Sequence, residues 1–228
     1  MVRTTRLGRA ETGGATATMT KTVIWDFNGT ILDDLILCLN IINQMLAKRN
    51  LPVLSRESYQ AEFNFPVIDY YRKVGFDFSI EPYTELAQEY MNEYQPASFD
   101  CPLRSGVLEV LADIRSRGYR QIMLSATKRD FLLQQTDYFG LTGYFDPIIG
   151  LSDILGRSKI EMAKSWFGSQ GLQTEQAVLI GDTTHDYEAA QAIGCRCLLL
   201  EGGHNSKQRL LATGSPVLAG LDELLKLI

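Results

Sequence analysis

Histidine is nearly absent from this chain, with two in 228 residues, and the four cysteines form no CxxC pair and lie at no zinc-ligand spacing from either histidine. A structural zinc centre needs several nitrogen and sulfur donors at short spacings, so the composition argues against one. Cys38, Cys101, Cys195 and Cys197 offer no disulfide framework and fit reduced thiols in a cytoplasmic protein. A basic excess is also lacking. Lys and Arg total 22 against 27 acidic residues, a net charge of -5, which argues against nucleic acid as a partner because phosphate backbones are bound by clustered cations. The longest apolar runs, such as Cys197 to Leu200, are far too short to span a bilayer, so no membrane association is expected. There is no GxSxG and no Ser/His/Asp set, which leaves serine-hydrolase chemistry without support.

What is present begins with a contrast. Residues 1–20 hold Arg3, Arg6 and Arg9 against Glu11 alone, with six threonines and no apolar periodicity. Such a stretch buries too little to offset its ordering entropy. It has no apolar core of a secretory signal and no clear amphipathic helix of a transit segment. The expectation is a disordered, inert extension, with Met19 as the working start.

From Thr22 onward, short apolar runs alternate with longer helical patterns, the signature of an α/β domain built on a parallel sheet. Buried strands are expected at Thr22 to Asp26, Arg120 to Ser125, Asp146 to Ile149, Ala177 to Gly181 and Cys195 to Leu200. Leu108 to Arg117, Lys128 to Tyr138, Lys159 to Ser169 and Asp186 to Ile193 read as helices, the first and last stopped by Gly118 and Gly194. The interval from Asp26 to Gln121 greatly exceeds the roughly 30 residues of a crossover unit. It carries its own helical patterns at Asp34 to Lys48, Arg56 to Phe63, Val67 to Val74 and Tyr83 to Tyr94. Ser55, Pro66 and Pro82 are their expected starts. The predicted organisation is a Rossmann-like core of residues 21–34 and 98–228 with a helical cap inserted at 35–97, hinged near Asp33-Asp34 and Pro96 to Arg104.

Carboxylates at strand ends are the chemical signal. Asp26 closes an apolar strand in VIWDFNGT, Ser125 closes IMLSAT, and Asp182 and Asp186 follow the strand of VLIGDTTHD, while Lys159 opens a helix. A parallel sheet brings such ends to one edge, where open α/β sheets bind their ligands. Oxygen ligands, a nucleophile and a lysine together suit phosphoryl transfer at a magnesium ion.

DFNGT, LSAT, Lys159 and GDTTHD, in that order, resemble the haloacid dehalogenase superfamily, and the helical insertion resembles the cap of its phosphoglycolate-phosphatase-like branch. The resemblance covers nearly all of Thr22 to Ile228. It implies a Mg²⁺-dependent phosphatase of a small phosphorylated metabolite. In that reading Asp26 is the nucleophile that becomes an aspartyl phosphate, Ser125 hydrogen-bonds the phosphoryl group, and Lys159 neutralises both. Asp26, Asp182 and the backbone carbonyl of Asn28 bind the metal, with Asp186 completing the set. Thr30, Ala126 and Arg72 are further expected substrate contacts. Lys159 itself is expected on a rim helix, outside the core.

One position departs from the family. Its phosphatases usually carry a second aspartate two residues after the nucleophile, as general acid and base, and here that residue is Asn28. An amide has no titratable proton near neutral pH, so a substrate with a good leaving group would need it least. Asn28→Asp is therefore expected to raise turnover. A metal-free dehalogenase and a catalytically weakened phosphate-binding regulator are the alternatives; Asp182, as a metal ligand, argues against the first. Asp33, Asp34 and His185 are the candidate substitutes for the missing acid, but Asp33 and Asp34 are read as the cap hinge and His185 as a loop residue. His204, in EGGHNS after the fifth strand, could reach the crevice, but it is likewise read as a loop residue. Gly150 to Ser158 fails as a P-loop, having five residues between its glycines and Arg157 in place of lysine. Phe63, Phe65, Tyr70, Tyr71, Arg72 and Lys73 form an aromatic and basic cluster in the cap, where the aromatics are read mainly as packing.

Overall fold

The computed structural model describes residues 21–171 and 173–228; the expected extension at 1–20 lies outside them. Six strands form one parallel sheet: β1 (Thr22–Trp25), β2 (Arg120–Lys128), β3 (Ile148–Leu151), β4 (Ala177–Gly181), β5 (Arg196–Leu200) and β6 (Val217–Leu218), in the order β3-β2-β1-β4-β5-β6. The chain winds outward from β1 in one direction through β2 and β3, then returns to the other side through β4, so the switch point lies between β1 and β4. Side chains alternate across the sheet. Val23, Trp25, Met123 and Ile180 pack on one face with Leu111 and Ile114 of α5 (Val107–Ser116) and Leu132 of α6 (Arg129–Tyr138). Ile24, Leu124, Leu179 and Leu199 pack on the other with Phe167 of α7 (Ile160–Gln170), Ala189 and Ala190 of α8 (Thr184–Ile193), and Leu210 of α9 (Lys207–Ala212). A sheet covered on both faces is why its strands read as continuous apolar runs.

Four helices are inserted after β1: α1 (Leu35–Lys48), α2 (Arg56–Glu62), α3 (Val67–Lys73) and α4 (Tyr83–Ala97). Their apolar faces close on one another around Ile42, Leu46, Tyr59, Tyr71 and Leu86, joined by Phe131 of α6. Ser55 caps α2, accepting from the Ser58 amide at 3.1 Å. Pro66 and Pro82 occupy the N-cap positions of α3 and α4. The two connections to the core run side by side, with Leu32 bridged to Leu103 and the Asp33 amide donating to the Pro102 carbonyl at 2.9 Å.

The cap is seated on the core. Tyr83 donates to the Leu155 carbonyl at 2.7 Å, Gln60 to that of Gly203 at 2.6 Å, and the Val67 amide to that of Gly156 at 3.1 Å. Gly156 has φ +56°, and a Cβ there would meet Val67 Cγ2 at 2.5 Å; only glycine lets α3 approach this loop.

The sequence-based boundaries shift by a few residues. The third strand runs two residues later than expected, because Pro147 has no amide to give the ladder and instead accepts at its carbonyl from Met123. The second runs on to Lys128 with a register shift after Leu124 that lifts Ser125 to Thr127 toward the site. Among the strands and α-helices, β6 and α9 escaped the sequence pattern, both too short to show a period.

Candidate functional site

Asp26, directly after β1, lies at the carboxyl edge beside the switch point, 8% exposed. Asp182 follows β4, and Asp186 lies in the first turn of α8. Carboxylate oxygens of all three fall within 4.8 Å of one another, and all three are buried. Asp186 is held by the helix it starts: Oδ2 accepts from the Thr183 amide at 3.0 Å and its hydroxyl at 2.6 Å, closing a capping box. Asp182 accepts from Thr30 Oγ1 at 2.9 Å and the His204 amide at 2.6 Å. Gly29 makes room for this, since a Cβ at its φ of +71° would lie 2.2 Å from Asp182 Oδ2.

Lys159 is the cation of the cluster. Its ammonium pairs with Asp26 and, at 2.5 Å, with Asp186. The residue is 2% exposed, so the rim position expected from the sequence is corrected: Lys159 is buried between two carboxylates. Burial disfavours its charge, but the attraction of Asp186 and Asp26 outweighs that and raises its pKa. Burial pushes the Asp26 carboxyl well above the usual range, and repulsion from Asp186 and Asp182 adds to the effect against Lys159. Burial likewise pushes Asp182 up to about 6 against the pull of His204. One ammonium cannot balance three carboxylates, and an all-oxygen donor set suits a hard divalent cation. The residues therefore fit Mg²⁺.

A second cluster adjoins the first. Asp34, fully buried, accepts at Oδ1 from the Gly29 amide (2.9 Å) and His204 Nε2 (3.1 Å), and at Oδ2 from Asn28 Nδ2 (2.7 Å) and Tyr94 OH (2.6 Å). Asn28 Nδ2 also donates to Tyr94 OH at 2.6 Å, and Asn28 Oδ1 accepts from Thr127 Oγ1 at 2.7 Å. His204 Nδ1 meets Tyr59 OH at 3.0 Å. Burial alone would raise Asp34 and lower His204. Their mutual attraction prevails, holding Asp34 below its ordinary value and lifting His204 to about 9. At neutral pH they form a buried ion pair.

The expected site residues divide accordingly. Asp26, Asn28, Ser125, Ala126 and Lys159 line one cavity, with Asp182 and Asp186 beside its floor. Thr30 turns its hydroxyl onto Asp182 and is not among the lining residues. Arg72 is also placed elsewhere: it pairs with Asp69 at 2.6 Å on the exposed face of α3 and lies over the Phe78 ring. The loop role expected of His185 is corrected: it lies buried in the first turn of α8, its Nε2 accepting from the Lys159 amide at 3.2 Å and its ring stacked on Phe65. Sequence reasoning missed the Asp34–His204 pair. A histidine beside two glycines after a strand end, in a chain with only two, was the available signal for half of it.

The profile of the haloacid dehalogenase-like hydrolases matches residues 23–200. The chain belongs to this family and is a hydrolase. It is 27% identical over 222 residues to the phosphoglycolate phosphatase of Pseudomonas savastanoi pv. phaseolicola, covering 91% of this chain and 78% of that one. Among solved structures, a haloacid dehalogenase-like family hydrolase from Streptococcus pneumoniae superposes with a TM-score of 0.78 at 19% identity, covering 91% of this chain and 97% of that one. CbbY from Rhodobacter sphaeroides, solved as a mutant in complex with xylulose 1,5-bisphosphate, gives 0.70 at 19% identity, with 90% and 96% covered.

Proposed function

We propose that this chain is a Mg²⁺-dependent phosphatase that works through an aspartyl phosphate at Asp26. The observation that carries the reading is the Asp26 carboxylate at the floor of the cavity, paired with Lys159 and backed by Asp182 and Asp186. The similarity to phosphoglycolate phosphatases supports the reaction class.

In this mechanism an Asp26 oxygen attacks phosphorus, the bond from phosphorus to the ester oxygen breaks, and the leaving oxygen departs toward the cap with the electron pair and takes its proton from water. Lys159 neutralises the charge that gathers on the phosphoryl oxygens, while Ser125 and the displaced end of β2 position them. Water then attacks phosphorus of the acyl phosphate, frees Asp26 and releases inorganic phosphate. Asp26, Asp182 and the Asn28 carbonyl would hold Mg²⁺, with Asp186 orienting the set, and the ion supplies further charge neutralisation when bound. Asn28 cannot protonate the leaving oxygen, and both ends of its amide are committed to Asp34, Tyr94 and Thr127. Its place in the mechanism is to hold the seam between core and cap. We place this chemistry in the cytoplasm, where the four free cysteines stay reduced. Among the described residues no helix is long and apolar enough to cross a membrane.

The test is hydrolysis of 4-nitrophenyl phosphate with Mg²⁺ and with EDTA, together with intact-mass analysis of quenched enzyme. Chelator-sensitive turnover and a phosphorylated protein, both absent in Asp26→Asn, are expected. Full activity in metal-free buffer would overturn the reading and revive the metal-free dehalogenase.

A further inference from the structure

The cavity above Asp26 has two unlike ends. At the floor are Asp26, Ser125 and Lys159. The other end, enclosed by the cap, is lined by apolar and aromatic surface, notably Val67, Tyr71, Tyr83, Ala87, Tyr90 and Met91. Lys159 is already held by two carboxylates, and the one other lysine among the lining residues, Lys128, sits at the end of β2 near Asp130. The charged His204, the remaining cation of the lining, is paired with Asp34, and the cap itself contributes no cation to meet a second anionic group on a substrate. A carboxylate or second phosphate placed there would lose its hydration for contact with rings and methyl groups.

The whole cavity, floor and cap end together, measures about 150 Å³, a size at which an apolar cavity takes up one ring such as benzene. Its walls are fixed by ring-on-ring packing. Tyr71 meets Tyr83 edge-on at 5.6 Å and stacks on Phe76 at 4.9 Å, and Tyr90 stacks on Tyr94 at 5.7 Å. Such a box favours a flat apolar group over a flexible polar one. Asn28 points independently to the same class: with an amide where an acid would protonate the leaving oxygen, a phenol departs more readily than an aliphatic alcohol.

We infer that the substrate is a small aryl phosphate, the phosphate ester of a ring hydroxyl, whose ring fills the cap end of the cavity while Asp26 takes the phosphoryl group. This rests on the phosphatase reading for the reaction, and on the cavity, with Asn28 as a second support, for the ring. The balanced reaction is water plus aryl phosphate giving the phenol and inorganic phosphate, with the P–O electron pair leaving on the phenolic oxygen.

Binding and turnover separate the two supports. Isothermal calorimetry with the Mg²⁺-loaded enzyme would compare three non-hydrolysable probes: methylphosphonate, benzylphosphonate and 3-phosphonopropionate, whose carboxylate mimics an acidic substrate. Benzylphosphonate is expected to bind roughly 10- to 100-fold more tightly than methylphosphonate, the gain of burying one ring. Ala87→Phe, which fills the cap end, should abolish most of that ratio; Met91→Trp serves the same purpose if the first variant does not fold. Turnover should follow phenyl phosphate over benzyl phosphate, and benzyl phosphate over phosphoglycolate. Equal binding of the methyl and benzyl probes, or a preference for 3-phosphonopropionate, would overturn the ring assignment even if esters are hydrolysed. Tight benzylphosphonate binding without hydrolysis of any ester would instead sink the phosphatase reading and leave the ring site standing.

Discussion

The floor and the roof of the cavity are built by opposite means. The floor is polar: three carboxylates and a lysine, each tied by short contacts and delivered by strand ends or helix starts whose positions the parallel register fixes. The roof is mostly rings and methyl groups set by how α1 to α4 pack together. A floor of this kind supports one reaction on many substrates, and the roof decides which of them fits. Between the two lies a seam, the Asp34–His204 pair with Asn28, Tyr59 and Tyr94, to which core and cap both contribute.

The largest effect should follow from breaking the floor. Lys159→Ala removes the cation between Asp26 and Asp186, and turnover on phenyl phosphate should fall by ~10²–10³-fold, in line with the loss of a main electrostatic stabiliser. Because Lys159 is buried, the loss also leaves carboxylates unpaired in the interior, at a cost of about 3–5 kcal/mol. Thermal melts should show a marked drop in EDTA and partial recovery in Mg²⁺. An unchanged melting temperature in EDTA would mean that the floor does not depend on its lysine.

The same contrast explains what could be read in advance. The floor was legible because DFNGT, LSAT, Lys159 and GDTTHD are short contiguous signals next to apolar strands, and a parallel sheet leaves only one edge for them to meet. The roof and seam were not. Asp34 and His204 stand 170 positions apart and meet only because the cap hinge and the loop after β5 fold onto Gly29. Arg72 looked like a substrate contact by residue type alone, and the turn of α3 carries it out to solvent. Tyr70 and Tyr71 pack in the cap core as expected, but they also line the cavity, and that space is a property of four helices together, which no local period encodes.

A pH series on the seam comes next in size. His204 is raised from an ordinary 6.5 to about 9, while Asp34 is held below its ordinary 3.8. A raised histidine contributes stability that is complete below pH 6.5 and disappears as pH climbs through about 9. A lowered aspartate contributes above pH 3.8 and loses it only in stronger acid. Between pH 4 and 6.5 the pair is fully formed, and His204 then accounts for about 3 kcal/mol by linkage. Wild type should out-melt His204→Gln most in that window, and the two curves should converge above pH 9. A gap that does not change with pH would show that His204 packs as a neutral ring, and the seam would then belong to the roof.

Asn28→Asp gives a smaller effect and revises the expectation drawn from sequence. The new carboxylate would stand where Asn28 Nδ2 now lies 2.7 Å from Asp34 Oδ2, so a donor is exchanged for a like charge. The variant should lose about 1–3 kcal/mol, and a simple gain in turnover is no longer expected. Exchanging the two residues, Asn28→Asp with Asp34→Asn, restores one amide and one carboxylate. The double variant should be more stable than the sum of the single changes predicts, a coupling that denaturant titration of all four proteins would read. Strict additivity would mean that the two side chains do not interact in solution.

The smallest expected change tests the roof. Tyr70 is 2% exposed, its ring edge-on to Tyr59 at 5.9 Å and to Phe63 at 5.3 Å, and its hydroxyl is buried without a hydrogen-bond partner. An ordinary Tyr→Phe change in a core removes a made hydrogen bond and costs about 1 kcal/mol. Here nothing is removed except the desolvation of an unpaired hydroxyl, while the ring contacts stay. Tyr70→Phe should therefore melt at the same temperature as wild type or slightly higher, by up to about 1 kcal/mol in stability. The KM for phenyl phosphate should not move, because a ring-shaped apolar site has no use for this oxygen. A loss of stability would mean that the hydroxyl finds a partner in the free enzyme. A raised KM with unchanged stability would mean that it finds one on the substrate, and the ring bound under the cap would then carry a polar substituent facing α3.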